Sequence, residues 1–150
     1  MSSTRDKSAP LDQSRLAHTL GYAIARAAVT TNQLFAQGVG DPLGLRPVEF
    51  TLLQLIFSNP ATTQKRLCDL LRVPAPQMTL ILDRLQERGW LVRERDANDR
   101  RALHLRLTPA GARLAEKSLA ALQDSEQALE QVLTSGERLL LQELLAKVAR

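Results

Sequence analysis

The chain has 150 residues, 44% hydrophobic but only 3% aromatic, with a single cysteine; a leucine- and alanine-rich helical fold is expected and an intrachain disulfide framework is excluded. No apolar run approaches the roughly 18 residues of a membrane span, and the opening MSSTRDKSAP lacks the apolar stretch of a signal peptide, so a cytoplasmic protein without membrane association is expected, with a flexible tail over residues 1–11. The net charge of +4 is localised: residues 60–107 hold ten Lys and Arg against six Asp and Glu, while residues 1–59 hold five against four and residues 108–150 five against six. A basic patch confined to one third of a chain is the electrostatic footprint of a nucleic-acid surface, although ordinary solvated faces also produce it.

Residues 12–37 contain no proline, and Leu16, Leu20, Ala23, Ile24, Ala27, Leu34 and Phe35 share one helical face, which predicts one long helix. The Gly- and Pro-rich stretch 38–45 reads as a loop, after which Pro47 suits the first turn of a helix running to about Ser58. Thr62 or Thr63 can cap a short helix whose expected buried face is Leu67, Cys68, Leu70 and Leu71. A turn over residues 72–75 leads to Pro76 and a second helix with Met78, Ile81, Leu82 and Leu85 at helical spacing, closed by Gly89. Two short helices joined by a tight turn form a helix-turn-helix.

The period then changes to two. WLVRER (90–95) and ALHLRL (102–107) are strand candidates around the charged turn DANDRR, with Leu103, Leu105 and Leu107 on one face of the second strand. Thr108 and Pro109 open a helix to about Leu133, and Thr134 with Glu137 forms a capping box for a last helix carrying Leu140, Leu141, Leu144, Leu145 and Val148. The fold class is therefore mainly α with a small β-hairpin wing: a winged helix-turn-helix over residues 46–107. Residues 1–150 read as a single domain.

In a helix-turn-helix the second helix meets the base edges with the exposed residues of its first turns. Here that set is Ala75, Pro76, Gln77, Thr79, Leu80, Asp83 and Arg84. Gln77 can pair with adenine, Thr79 can touch a base or a thymine methyl, and Arg84 can reach guanine or a phosphate. Thr63, Gln64 and Lys65, at the start of the first helix of the pair, extend the candidate surface. Arg93, Arg95, Arg100 and Arg101 cluster at or near the hairpin tip, where guanidinium groups suit a narrow minor groove, and Asp99 can orient a neighbouring arginine.

Residues 45–114 resemble the MarR (multiple antibiotic resistance regulator) family of transcriptional regulators. LILDRLQERGWLVRERD is similar to that family's recognition helix and first wing strand, and NDRRALHLRLTPAGARL to its wing and following helix. The chain departs from the usual pattern at Pro74 and Pro76, beside the turn, and at Leu80, where relatives often carry a polar or basic residue. The resemblance implies a homodimer joined by a helical lobe from residues 12–37 and 108–150, binding a pseudo-palindromic operator in double-stranded DNA as a repressor. It also implies release by a small aromatic or phenolic effector, for which His18, Tyr22 and Arg26, four residues apart on the predicted first helix, are the candidate contacts.

No phosphate-binding glycine loop, nucleophile elbow or metal-ligand spacing is present, so no enzymatic activity, cofactor or metal is expected. Cys68, on the Leu67 and Leu71 stripe, reads as a buried apolar group with an unreactive thiol. The alternative on the same fold is a winged-helix module that docks proteins without binding DNA.

Overall fold

The computed structural model describes residues 11–95 and 103–149, and the chain divides between Gln33 and Leu34 into two compact units. In the first unit the Asp12 carboxylate accepts the Ser14 amide (2.9 Å), and backbone and side-chain hydrogen bonds from Ser14 hold its pKa below the usual aspartate value. Turns follow to His18, and the Thr19 hydroxyl donates to the Leu16 carbonyl (2.8 Å). Helix α1 (Leu20–Phe35) therefore starts at Leu20 and not at Asp12. Polar side chains that bond nearby backbone offer an alternative to the helical ladder, and here they take it.

The second unit continues from α1 through a π-helical turn (Ala36–Gly40) into helix α2 (Asp41–Leu43), which Gly44 ends. The loop expected over residues 38–45 is thus largely helical, because Pro42 lies in the first turn of α2, where no amide is needed. Helix α3 (Pro47–Ser58) also opens on a proline, and the buried Glu49 carboxylate accepts the Arg46 amide (2.9 Å). Then come strand β1 (Thr62–Thr63), helices α4 (Gln64–Leu71) and α5 (Ala75–Glu87), strands β2 (Leu91–Arg95) and β3 (Leu103–Leu107), helix α6 (Pro109–Glu126), a 3₁₀ turn (Gln127–Gln131) and helix α7 (Ser135–Val148).

The strands form an antiparallel sheet in the order β1-β3-β2, with Thr62 opposite Leu105, Leu91 opposite Leu107 and Arg95 opposite Leu103. Two residues are too short to show alternation, so the sequence predicts no strand at β1. The face expected on β3 needs correction. Leu105 is buried and Leu107 half-buried, but Leu103, paired with Arg95 at the far end of the hairpin, is exposed. Leu70 on α4 is exposed too: at about 100° per residue it lies some 100° from the centre of the stripe made by Leu67, Leu71 and Cys68.

Two apolar cores sit on either side of α3. Leu52 and Ile56 pack with Leu67, Met78, Ile81, Leu82, Leu85, Leu91 and Leu105, which binds α4, α5 and the sheet together. Leu53 packs with Phe35, Val39, Leu45 and Ala115. Gln54 ties α3 to α6 by donating to the Ala115 carbonyl (2.8 Å) and the Ser118 hydroxyl (3.2 Å). Among the described residues no helix is long and apolar enough to cross a membrane.

The hairpin and α6 meet at one junction. The Thr108 amide donates to the Trp90 carbonyl (3.0 Å), and its hydroxyl donates to the Gly89 carbonyl (2.6 Å) while accepting the Gly111 amide (3.0 Å) as the cap of α6. Gly111 lies so close to Trp90 that a Cβ there would stand 2.0 Å from the Trp90 carbonyl oxygen, an atom of fixed backbone. Gly111→Ala is expected to destabilise the protein by about 3 kcal/mol through this overlap. Thr108→Ala, which removes a cap, should cost about 1 kcal/mol. Urea unfolding of both variants measures the difference, and equal stability of Gly111→Ala and the parent protein would contradict the packing.

Candidate nucleic-acid interface

The helix-turn-helix is built from α4, α5 and the turn between them. Thr63 caps α4, its side chain accepting the Arg66 amide (3.4 Å). Arg72 ends the helix in the left-handed region (φ 53°), and the Val73 amide returns to the Cys68 carbonyl (3.3 Å). Pro74 is the residue before α5 and its carbonyl accepts the Met78 amide (3.0 Å); Pro76 lies in the first turn, so neither proline removes an intrahelical bond. The departure from the family pattern at the turn therefore leaves α5 unbroken.

Met78, Ile81, Leu82 and Leu85 are buried, as their spacing predicts, and they fix which side of α5 faces out. Ala75, Pro76, Gln77, Thr79 and Leu80 are exposed. Gln64 on α4 reaches across to this face: its Nε2 donates to the Thr79 hydroxyl (2.8 Å) and to the Ala75 carbonyl (3.3 Å). Lys65 beside it is exposed.

Asp83 and Arg84 are half-buried. Asp83 forms an ion pair with Arg93 of β2 (2.7 Å), and the other nitrogen of that guanidinium donates to Gln86 (2.9 Å). Arg93 is thus a strut between the hairpin and α5. Arg84 turns its Nε inward, where it is buried with no hydrogen-bond partner among the described residues, on the side of α5 lined by Gly44, Arg46, Glu49, Glu87 and Arg88. On the same side Arg88 lies over the Trp90 ring (3.9 Å to the centroid) and donates to the Gly44 carbonyl (2.9 Å). Arg95 is exposed, and Arg106 pairs with Glu94 across the hairpin (2.9 Å). Asp99, Arg100 and Arg101 lie outside the described residues.

Two links have no signature in the sequence, Gln64 to Thr79 and Arg93 to Asp83 with Gln86. Both join residues seven or more positions apart on different elements, so no local pattern displays them. The remaining candidates are elsewhere. In the first unit the Tyr22 hydroxyl (2.7 Å) and the Arg26 guanidinium (2.6 Å) donate to one atom, Gln13 Oε1. His18 is exposed in the turn before α1, so the spacing 18, 22, 26 does not run along a single helix. Cys68 is half-buried at the margin of the larger core, less enclosed than expected.

Known proteins share this arrangement. The sequence model of the MarR family matches residues 43–102, which include α4, α5 and β2. The multiple antibiotic resistance protein MarR of Escherichia coli is 34% identical over 109 residues, 72% of this chain and 76% of that protein. The chain belongs to the MarR family. As a MarR-family member it is a transcriptional regulator and not an enzyme, in keeping with relatives that are regulators. The transcriptional repressor CouR bound to a 23-mer DNA duplex superposes on this MarR-family fold with a TM-score of 0.87 at 31% identity, covering 95% of this chain and all of that one. A mutant of E. coli MarR complexed with operator DNA gives a TM-score of 0.77 at 30% identity over 93% of this chain and 99% of that one.

Proposed function

We propose that this regulator is a homodimeric repressor that binds a pseudo-palindromic operator through α5 and the hairpin and is released by a small anionic aromatic or phenolic effector. The observation that carries the DNA reading is the outer face of α5: a rigid core-anchored helix presenting Gln77, Thr79 and Leu80, flanked by the exposed cations Lys65 and Arg95. CouR, of similar fold at 31% identity, is a repressor bound to duplex DNA, which supports the same use of the face here. In this reading Arg93 orients the hairpin, and Thr63, Gln64, Ala75, Pro76, Arg84, Asp99, Arg100 and Arg101 complete the interface.

The dimer reading rests on α7. That helix has no buried residue, and Leu139, Leu140, Leu141, Leu144, Leu145 and Val148 are 41–67% exposed. A 14-residue helix is marginal in water without a packed face. A second copy of the chain, bringing the same leucines about a two-fold axis, supplies one. The effector reading rests on Tyr22 and Arg26. Two donors aimed at one oxygen are the geometry that receives a carboxylate or phenolate, with Gln13 Oε1 standing where the ligand oxygen would.

Three outcomes are expected. In a gel-shift titration against the DNA upstream of its own gene, log affinity falls linearly with log salt, and Lys65→Ala lowers the slope by about 0.9 for each phosphate contact removed; a salt-independent affinity, or no shift at low salt, contradicts DNA recognition by this face. Leu141→Glu gives monomers or aggregates in sedimentation at micromolar concentration, since an unpaired charge cannot be buried cheaply; a monomeric parent protein refutes the dimer. Arg26→Ala binds DNA like the parent but loses its response to aromatic acids that dissociate the parent complex, and an unchanged response would remove Arg26 from the effector site.

A further inference from the structure

We infer that Thr79 and Leu80 recognise thymine through its 5-methyl group, with Gln64 as the positioning residue that leaves Thr79 to present a methyl and not a hydroxyl hydrogen. The inference rests on the reading of α5 as the helix that enters the major groove, and it names what that helix reads.

A threonine hydroxyl has one hydrogen to give. In Thr79 that hydrogen goes to the Ala75 carbonyl one turn back (3.0 Å), and the oxygen accepts from Gln64 Nε2 (2.8 Å). Gln64 holds the same carbonyl with its other amide hydrogen (3.3 Å), so three groups close a small polar ring on the side of the helix. The hydroxyl can donate nothing to a base edge. What remains for the groove from this exposed side chain is its γ-methyl and one oxygen lone pair, and thymine, whose major-groove edge carries only the O4 acceptor and the methyl, can meet only the first.

Leu80, the next residue, is 64% exposed on a helix whose inward side is already filled by Met78, Ile81, Leu82 and Leu85. Pro76 is four residues before Leu80 and three before Thr79, which makes the three neighbours on the helix surface. The leading face of α5 is therefore an apolar patch, with Gln77 beside it. Of the groups in the major groove, the thymine 5-methyl is the one that an apolar patch can match, and it separates thymine from the other three bases. Gln77, exposed and with no side-chain hydrogen bond among the described residues, has the donor and acceptor that adenine requires.

The test uses the full-length protein and a duplex it selects from a random-sequence pool, with each thymine of a half-site replaced in turn by deoxyuridine, which lacks only the methyl. Affinity should fall roughly fourfold at each methyl that is contacted, the equivalent of one buried methyl group. Leu80→Ala should abolish the loss at one position. Thr79→Ser should abolish it at a neighbouring position, while Thr79→Val, which keeps the methyl and removes the hydroxyl, retains it. Gln64→Ala should reduce discrimination at the Thr79 position and leave the Leu80 position unchanged, with the melting temperature of each variant confirming the fold. Uniform affinity for thymine and deoxyuridine overturns the inference, as does discrimination that survives in Thr79→Ser and vanishes in Thr79→Val. Unchanged discrimination in Gln64→Ala overturns the positioning role. If no duplex is selected at low salt, it is the DNA-binding reading itself that fails.

Discussion

Gly111 rests on the carbonyl of Trp90, and Thr108 bonds both the Gly89 and Trp90 carbonyls, so the end of the recognition helix, the first strand and the start of α6 are locked within a few ångströms of one another. Gly89 is in the left-handed region (φ 73°), which lets the chain leave α5 and enter β2 directly. The closure fixes the hairpin at both ends, because β3 runs straight into Thr108. Any side chain at position 111 would separate α6 from Trp90, and with it the hairpin from the helices that hold it.

Because both ends of the hairpin are held there, a single ion pair is enough to set its remaining freedom. Arg93 reaches back from β2 to Asp83 and Gln86, and although its own side chain is mostly covered, Asp83 is 45% exposed. A pair so open to water contributes at most about 1 kcal/mol to stability. Its consequence is geometric: beyond the junction at Trp90 it joins β2 to α5 a second time and holds the Arg93 side chain against that helix. Gln64 does the same for the helix's leading turn from the other side.

The parts of this structure that a single sequence discloses are those governed by local rules. The buried stripe of α5, the caps at Thr63, Thr108 and Thr134 and the left-handed Gly89 each depend on residues within one or two turns. Three kinds of feature escaped such rules. Polar side chains that bond locally, at Asp12 and Thr19, shortened the first helix. Elements too short to show a period, β1 and α2, left no pattern. Contacts across elements, such as Arg93 with Asp83 and Gln86, arise only after the chain has reversed at Gly89. The candidate interface was visible as a set of exposed positions on a helix, but which hydroxyl, amide or guanidinium remained available was decided by those non-local contacts.

The two ends of the second unit differ in how completely they are folded within one chain. Around α3 every large apolar side chain of α5 that points inward is enclosed, and the reading surface needs nothing further to hold its shape. At α7 the leucines have no cover, and the helix is held by its capping box and by Arg138 pairing with Glu126 (3.1 Å). Below the usual glutamate range that box weakens, since hydrogen bonds from the Thr134 backbone and side chain lower the pKa of Glu137 and so stabilise its ionised form in the folded state. In the proposed dimer these tasks separate: shape at the DNA is set by a closed core, and the distance between two such surfaces would be set by the face of α7 that a second copy covers. An effector of such a dimer would not need to deform α5 to release it from DNA. A change in how the two copies meet would suffice, because successive major grooves present themselves at a fixed spacing of about 34 Å and a rigid pair of reading heads either matches it or does not.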